Sequence, residues 1–139
     1  MTTTMVRPAL KATGLRKSFG EKTALDGIDL NVAEGSIFAL LGPNGAGKTT
    51  TVQILSTLIG ADGGDASVGG HDVAREPDAV RDVIGVTGQF SAVDSLLTGE
   101  ENLRLMADLR HLEGSEGQRR TIELLERFDL VEEARKPAV

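Results

Sequence analysis

The 139-residue sequence predicts an α/β fold, and three observations lead to that class. Apolar and polar residues alternate through parts of the first sixty positions, the period of a half-buried strand. A glycine-rich loop at 42–47 separates a short all-apolar run from a segment with helical spacing. From residue 98 onward the pattern turns helical and carries repeated start signals.

The elements follow in chain order. Residues 10–19 mix polar and apolar side chains and close at Gly20. Residues 24–32 put Ile28, Leu30 and Val32 on one face, and Glu34-Gly35 then makes a turn. Residues 37–41 are continuously apolar, which predicts a strand covered on both faces. The segment 48–59 carries Val52, Leu55, Leu58 and Ile59 at helical spacing and is stopped by Gly60. Gly63-Gly64 and Gly69-Gly70 mark residues 61–73 as a hairpin, and residues 83–86 predict a short buried strand. Three capping-box pairs then start three helices: Thr98 with Glu101, Ser115 with Gln118, and Asp129 with Glu132. Leu105, Leu109 and Leu112 form one apolar stripe, and Ile122, Leu125 and Phe128 form another. The third helix is short, with Arg135 and Lys136 in its last turn and Pro137 directly after. The organisation read from this is a tail (1–9), a β subdomain with the loop core (10–97), and the start of a helical subdomain (98–139).

Composition excludes several classes. Apolar residues are 40% and charged residues 26%, the balance of a globular domain. No apolar stretch approaches the roughly 20 residues of a membrane helix, and residues 1–5 hold no signal-peptide core. With no cysteine, thiolate metal sites and thiol nucleophiles are excluded. The net charge of −6 and the four phenylalanines as sole aromatics argue against nucleic acid as a partner. Charge is uneven, with residues 1–60 at +2 and residues 61–139 at −8, so a bound anion belongs in the first half.

The chemistry is concentrated in Gly42-Pro43-Asn44-Gly45-Ala46-Gly47-Lys48-Thr49, which fits the phosphate-loop pattern G-x-x-x-x-G-K-[ST]. Glycines let the backbone wrap tightly and turn several N–H groups inward as a nest for phosphate oxygens. Lys48 adds a cation near the β and γ phosphates, and the Thr49 hydroxyl is a hard ligand suited to magnesium. The following helix contributes the positive end of its dipole.

Beyond that loop the chain resembles the N-terminal part of an ABC transporter ATP-binding subunit, from about Leu10 to its last residue. Residues 15–20, Leu-Arg-Lys-Ser-Phe-Gly, are similar to the family's aromatic-loop region. Residues 83–89, Val-Ile-Gly-Val-Thr-Gly-Gln, are similar to the strand entering its glutamine loop, and residues 97–103 to the segment after it. The wording of residues 88–94 is most like the antibiotic-efflux, daunorubicin-resistance-like branch. The resemblance implies a P-loop NTPase fold and an ATPase working with ATP and Mg2+. It implies that Phe19 stacks on adenine, that Thr50 adds an α-phosphate contact, and that Gln89 touches magnesium or the attacking water. The implied partners are a transmembrane permease subunit and a second ATP-binding subunit. The implied location is the inner face of the cell membrane, on the cytoplasmic side. Read without the resemblance, Gln89 is a plain loop residue; for Phe19 the alternative to stacking, and the less favoured one, is a core aromatic closing a hairpin. His71 and His111 read as solvated.

The sequence also departs from the family. It holds no Ser-Gly-Gly signature, no four-residue apolar run followed by Asp, and no later switch histidine. The expectation is therefore a partial subunit that does not hydrolyse ATP by itself, because phosphoryl transfer needs a metal-holding carboxylate. The alternative is a noncatalytic soluble module of the same family or a regulatory fragment. A GTPase is disfavoured, since none of Asn31, Asn44 and Asn102 precedes a lysine.

Overall fold

A computed structural model describes residues 8–88 and 93–138. The chain divides into two compact units, one ending at Thr87 and the other beginning at Gly88.

The first unit is built on an antiparallel sheet. Strand β1 (Pro8–Phe19) and strand β2 (Lys22–Ala33) form a hairpin in register from Pro8 opposite Ala33 to Phe19 opposite Lys22. Strand β3 (Gly63–Val68) pairs with the other edge of β1, and β4 (His71–Asp72) adds a short fourth strand, giving the order β2-β1-β3-β4. The hairpin is bulged where Ala12 faces Leu30 and Leu15 faces Ile28, three residues of one strand spanning two of the other. That extra residue lets Ala12 and Leu15 both face inward. The bulge is tied by the Gly14 N–H, which donates to Asp29 Oδ1 at 2.7 Å. A Cβ at Gly64 would lie 2.3 Å from the Gly14 carbonyl oxygen, so β3 approaches the bulge only because residue 64 is glycine.

Helix α1 (Lys48–Leu55) packs on this sheet, and Leu15, Leu25, Ile54, Ala12 and Ala66 make the core. The helix is shorter than its apolar spacing predicts. Ser56 caps it, its hydroxyl donating to the Val52 carbonyl at 2.8 Å, and Thr57 turns left-handed at φ 64°. The buried face is Thr51 and Ile54, whereas Val52 and Leu58 are exposed and Leu55 and Ile59 half-buried. Helix α2 (Pro77–Val83) was not anticipated, although Pro77 in its first turn and Asp78 beside it are start signals. It anchors through fully buried Val80.

Two predicted strands do not form. Residues 37–41 join no ladder, and Ile37 and Leu41 stand fully or almost fully exposed. Apolar character calls for burial but supplies no partner strand, and the four-stranded sheet of the described residues forms without this segment. Residues 83–86 fail for another reason: Val83 ends α2, and residues 84–88 run on irregularly with Val83 and Val86 exposed.

The second unit pairs helix α3 (Gly99–Leu109) with helix α4 (Gly114–Arg127). The capping box at Thr98 forms as expected, with the Glu101 N–H donating to Thr98 Oγ1 at 3.2 Å and the Thr98 N–H donating to Glu101 Oε2 at 2.8 Å. Helix α4 starts earlier than its predicted box. The Gly117 N–H donates to the Glu113 carbonyl at 2.7 Å, so Glu113 is the cap and Ser115 already lies inside the helix. Residues 131–136 are turns, not a third helix. Asp129 reverses the chain at φ 55°, and Pro137 is drawn into a bridge opposite Thr98. The stripes are also rotated from expectation. Ala107, Gly117, Thr121 and Leu125 are buried, while Leu105, Leu109, Ile122 and Phe128 are exposed and Leu112 is half-buried.

Candidate phosphate-binding site

The loop 42–47 leads directly into α1. Gly45 and Gly47 both hold φ near +84°, at 84° and 83°, which turns the backbone sharply twice within three residues. Gly47 is also packed tightly: a Cβ there would lie 2.6 Å from the Ala24 carbonyl oxygen and 2.5 Å from Leu25 Cδ2. Only glycine lets the loop seat against β2 while adopting a left-handed turn.

Gly47 is the N-cap of α1 and provides no side chain to cap the first turn, which also holds no acidic residue. The first-turn N–H groups of a helix lack intrahelical partners and carry the positive end of its dipole. Thr51 secures the turn from within, donating both its N–H (2.8 Å) and its hydroxyl (2.9 Å) to the Gly47 carbonyl. Lys48 folds its ammonium over the loop, donating to the Gly42 carbonyl at 2.6 Å and the Pro43 carbonyl at 2.7 Å. An ammonium has three donors, so one remains for a further oxygen. Residues 42–46 and Thr49 are exposed, and Lys48 and Thr50 half-buried. A basic group, a bare helix start and an exposed hydroxyl therefore converge on one loop. That donor set suits a polyanion and a hard cation bound with it.

The other predicted residues stand as follows. Phe19 ends β1 opposite Lys22, two positions along β2 from the Ala24 carbonyl that Gly47 touches. It is 52% exposed, so it is not a core aromatic. Gln89 lies outside the described residues. His71 approaches Glu76 at 3.4 Å, and His111 is exposed at a positive φ of 55°.

Sequence reasoning missed the brace beneath Phe19. Lys17 Nζ lies 5.6 Å from the centre of the Phe19 ring and donates to Asp62 Oδ1 at 2.8 Å. The Ser18 N–H donates to Asp62 Oδ2 at 2.7 Å. The bond from Lys17 holds the Asp62 carboxyl below its ordinary range, with the Ser18 N–H acting in the same direction. A separate groove of about 290 Å³ in the same unit is lined by Asp62, Asp65 and Asp72 against Arg75 alone among charged residues, a poor match for a phosphate chain.

Sheet, loop and helix start form one α/β unit, and residues 25–139 match the ABC transporter family, to which the chain belongs. Among its relatives, "Daunorubicin resistance ATP-binding protein DrrA2" of Streptomyces coeruleorubidus is 56% identical over 124 residues, covering 89% of this chain and 38% of that protein. "Doxorubicin resistance ATP-binding protein DrrA" of Mycobacterium tuberculosis is 50% identical over 125 residues, covering 88% and 38% respectively. A solved structure, "Structure of ATP binding subunit of ABC transporter", superposes with a TM-score of 0.75 at 29% identity, covering 93% of this chain and 54% of that one. The chain thus spans about two-fifths of the length of these curated relatives. No helix among the described residues is long and apolar enough to cross a membrane.

Proposed function

We propose that the chain supplies the ATP-binding, energy-coupling part of an ABC efflux transporter for drugs or antibiotics. One observation carries this reading: a loop whose only room for residue 47 is a glycine, leading into an uncapped helix start under a lysine. In this reading Gly42, Pro43, Asn44, Gly45, Ala46 and Gly47 wrap the triphosphate with backbone N–H groups. Lys48 offers its third donor to the β and γ phosphates, Thr50 supports the α phosphate, and Phe19 stacks on adenine. Thr49, through its hydroxyl, and Gln89 would hold Mg2+, which would neutralise phosphate charge.

The names of the relatives support the antibiotic-export reading. With it come a transmembrane permease, a second ATP-binding subunit and a cytoplasmic position against the inner membrane face. These 139 residues hold no Ser-Gly-Gly and no four-residue apolar run followed by Asp, so the step assigned to them is binding rather than hydrolysis. Calorimetric titration with ATP tests the reading. Lys48→Ala is expected to weaken ATP at least tenfold, about 1.4 kcal/mol. Unchanged affinity in that variant overturns the phosphate-loop assignment.

A further inference from the structure

We propose that Lys17, clamped by Asp62, is a positioning residue that sets the Phe19 ring for adenine; this rests on the nucleotide-binding reading above. Four contacts converge here, one within β1 and three between β1 and Asp62. Lys17 Nζ sits 5.6 Å from the ring centre, within the reach of a cation–π contact. The same ammonium is tied to Asp62 Oδ1 at 2.8 Å, and Asp62 Oδ2 takes the Ser18 N–H at 2.7 Å. The Asp62 N–H in turn donates to the Arg16 carbonyl at 2.9 Å. Asp62 therefore grips three consecutive residues of β1 immediately before Phe19.

The Lys17 side chain is only 16% exposed, unusual for a lysine. Phe19 is the last residue of β1, next to the turn at Gly20 and Glu21, where a strand end frays most readily. Its ring has one face held by the ammonium and stays half exposed, which leaves it open to a flat partner. A cation fixed on one side removes ring rotamers that would otherwise have to be lost on binding.

The test compares ATP with inorganic tripolyphosphate, which offers the same phosphates and no base, titrated into the full 139-residue chain. Lys17→Met and Asp62→Asn are each expected to weaken ATP about two- to fivefold, the range of an exposed cation–π contact, and to leave tripolyphosphate unchanged. Lys17→Arg, which keeps both the charge and the reach, is expected to restore ATP binding. In a Phe19→Ala background Lys17→Met is expected to have no further effect, because its action passes through the ring. Equal losses for both ligands, or a loss that persists without Phe19, overturns the positioning role. Failure of the unsubstituted chain to bind tripolyphosphate overturns the phosphate-loop reading itself and the positioning role with it. Normal tripolyphosphate binding with unaltered ATP affinity in Lys17→Met and Asp62→Asn overturns the positioning role alone.

Discussion

Gly47→Ala is the substitution whose cost the structure defines most closely. The new methyl would meet Leu25 Cδ2 at 2.5 Å and the Ala24 carbonyl oxygen at 2.6 Å. Leu25 is a core residue at 2% exposure, so its methyl does not yield freely, and Ala24 is the bulged residue of β2 between the Lys17–Leu25 and Ser18–Thr23 pairs. Overpacking of this kind costs about 1–3 kcal/mol. Holding a residue with a side chain at φ 83° adds about 1–2 kcal/mol. The combined loss of about 2–5 kcal/mol is a large part of the typical 5–15 kcal/mol stability of a domain. Gly45→Ala is the internal control. It shares a φ of 84° but has nothing within 4 Å of its Cβ position, so only the backbone term of about 1–2 kcal/mol applies. Thermal unfolding followed by circular dichroism should place Gly47→Ala clearly below Gly45→Ala, each kcal/mol moving a chain of this size by about 4 °C. Equal midpoints for the two variants would refute the argument that the loop is seated by contact with β2.

Four further outcomes are expected. Phe19→Ala should weaken ATP by about 1–3 kcal/mol while Phe19→Tyr stays near the unsubstituted chain, measured by calorimetry; identical behaviour of the two removes the stacking role. Thr98→Ala should cost about 1 kcal/mol through its lost cap, whereas Ser115→Ala should be almost silent because Ser115 caps nothing. The Glu101 carboxyl is held below its usual range, first by the Thr98 N–H and then by the Thr98 hydroxyl, so its contribution is complete above the ordinary value of 4.5. It is lost as pH falls through the lowered value, and Glu101→Gln should flatten that acid limb of the melting curve. Finally, the 139-residue chain should show no magnesium-dependent ATP hydrolysis above background; turnover that disappears in Lys48→Ala would falsify this.

The hairpins were legible because turn chemistry and period-2 alternation are local. Gly20-Glu21 closes β1 onto β2 and Gly69-Gly70 closes β3 onto β4, and each ladder starts at its turn and runs outward from it. The same holds for the phosphate loop and the Thr98 cap, whose residues are neighbours in sequence. Residues 37–41 misled because strand formation depends on a partner elsewhere in the chain, and apolar content reports only the need for one. The phase of α1 misled because Ile54 and Leu58 are both apolar, and the cap at Ser56 decides which is buried. The Lys17–Asp62 clamp was illegible in principle. Its partners lie 45 residues apart and meet only because Arg16 pairs opposite Gly63 when β3 joins β1.

The central claim, that residues 42–50 hold the phosphates of ATP, is tested most directly by the amide spectrum of the 15N-labelled chain titrated with ATP. The largest shifts are expected at the N–H groups of residues 44–50, with Phe19 and its turn moving in the same titration and tripolyphosphate reproducing only the loop shifts. Shifts centred instead on the acidic groove around Asp62, Asp72 and Arg75, with the loop amides unmoved, would contradict the account.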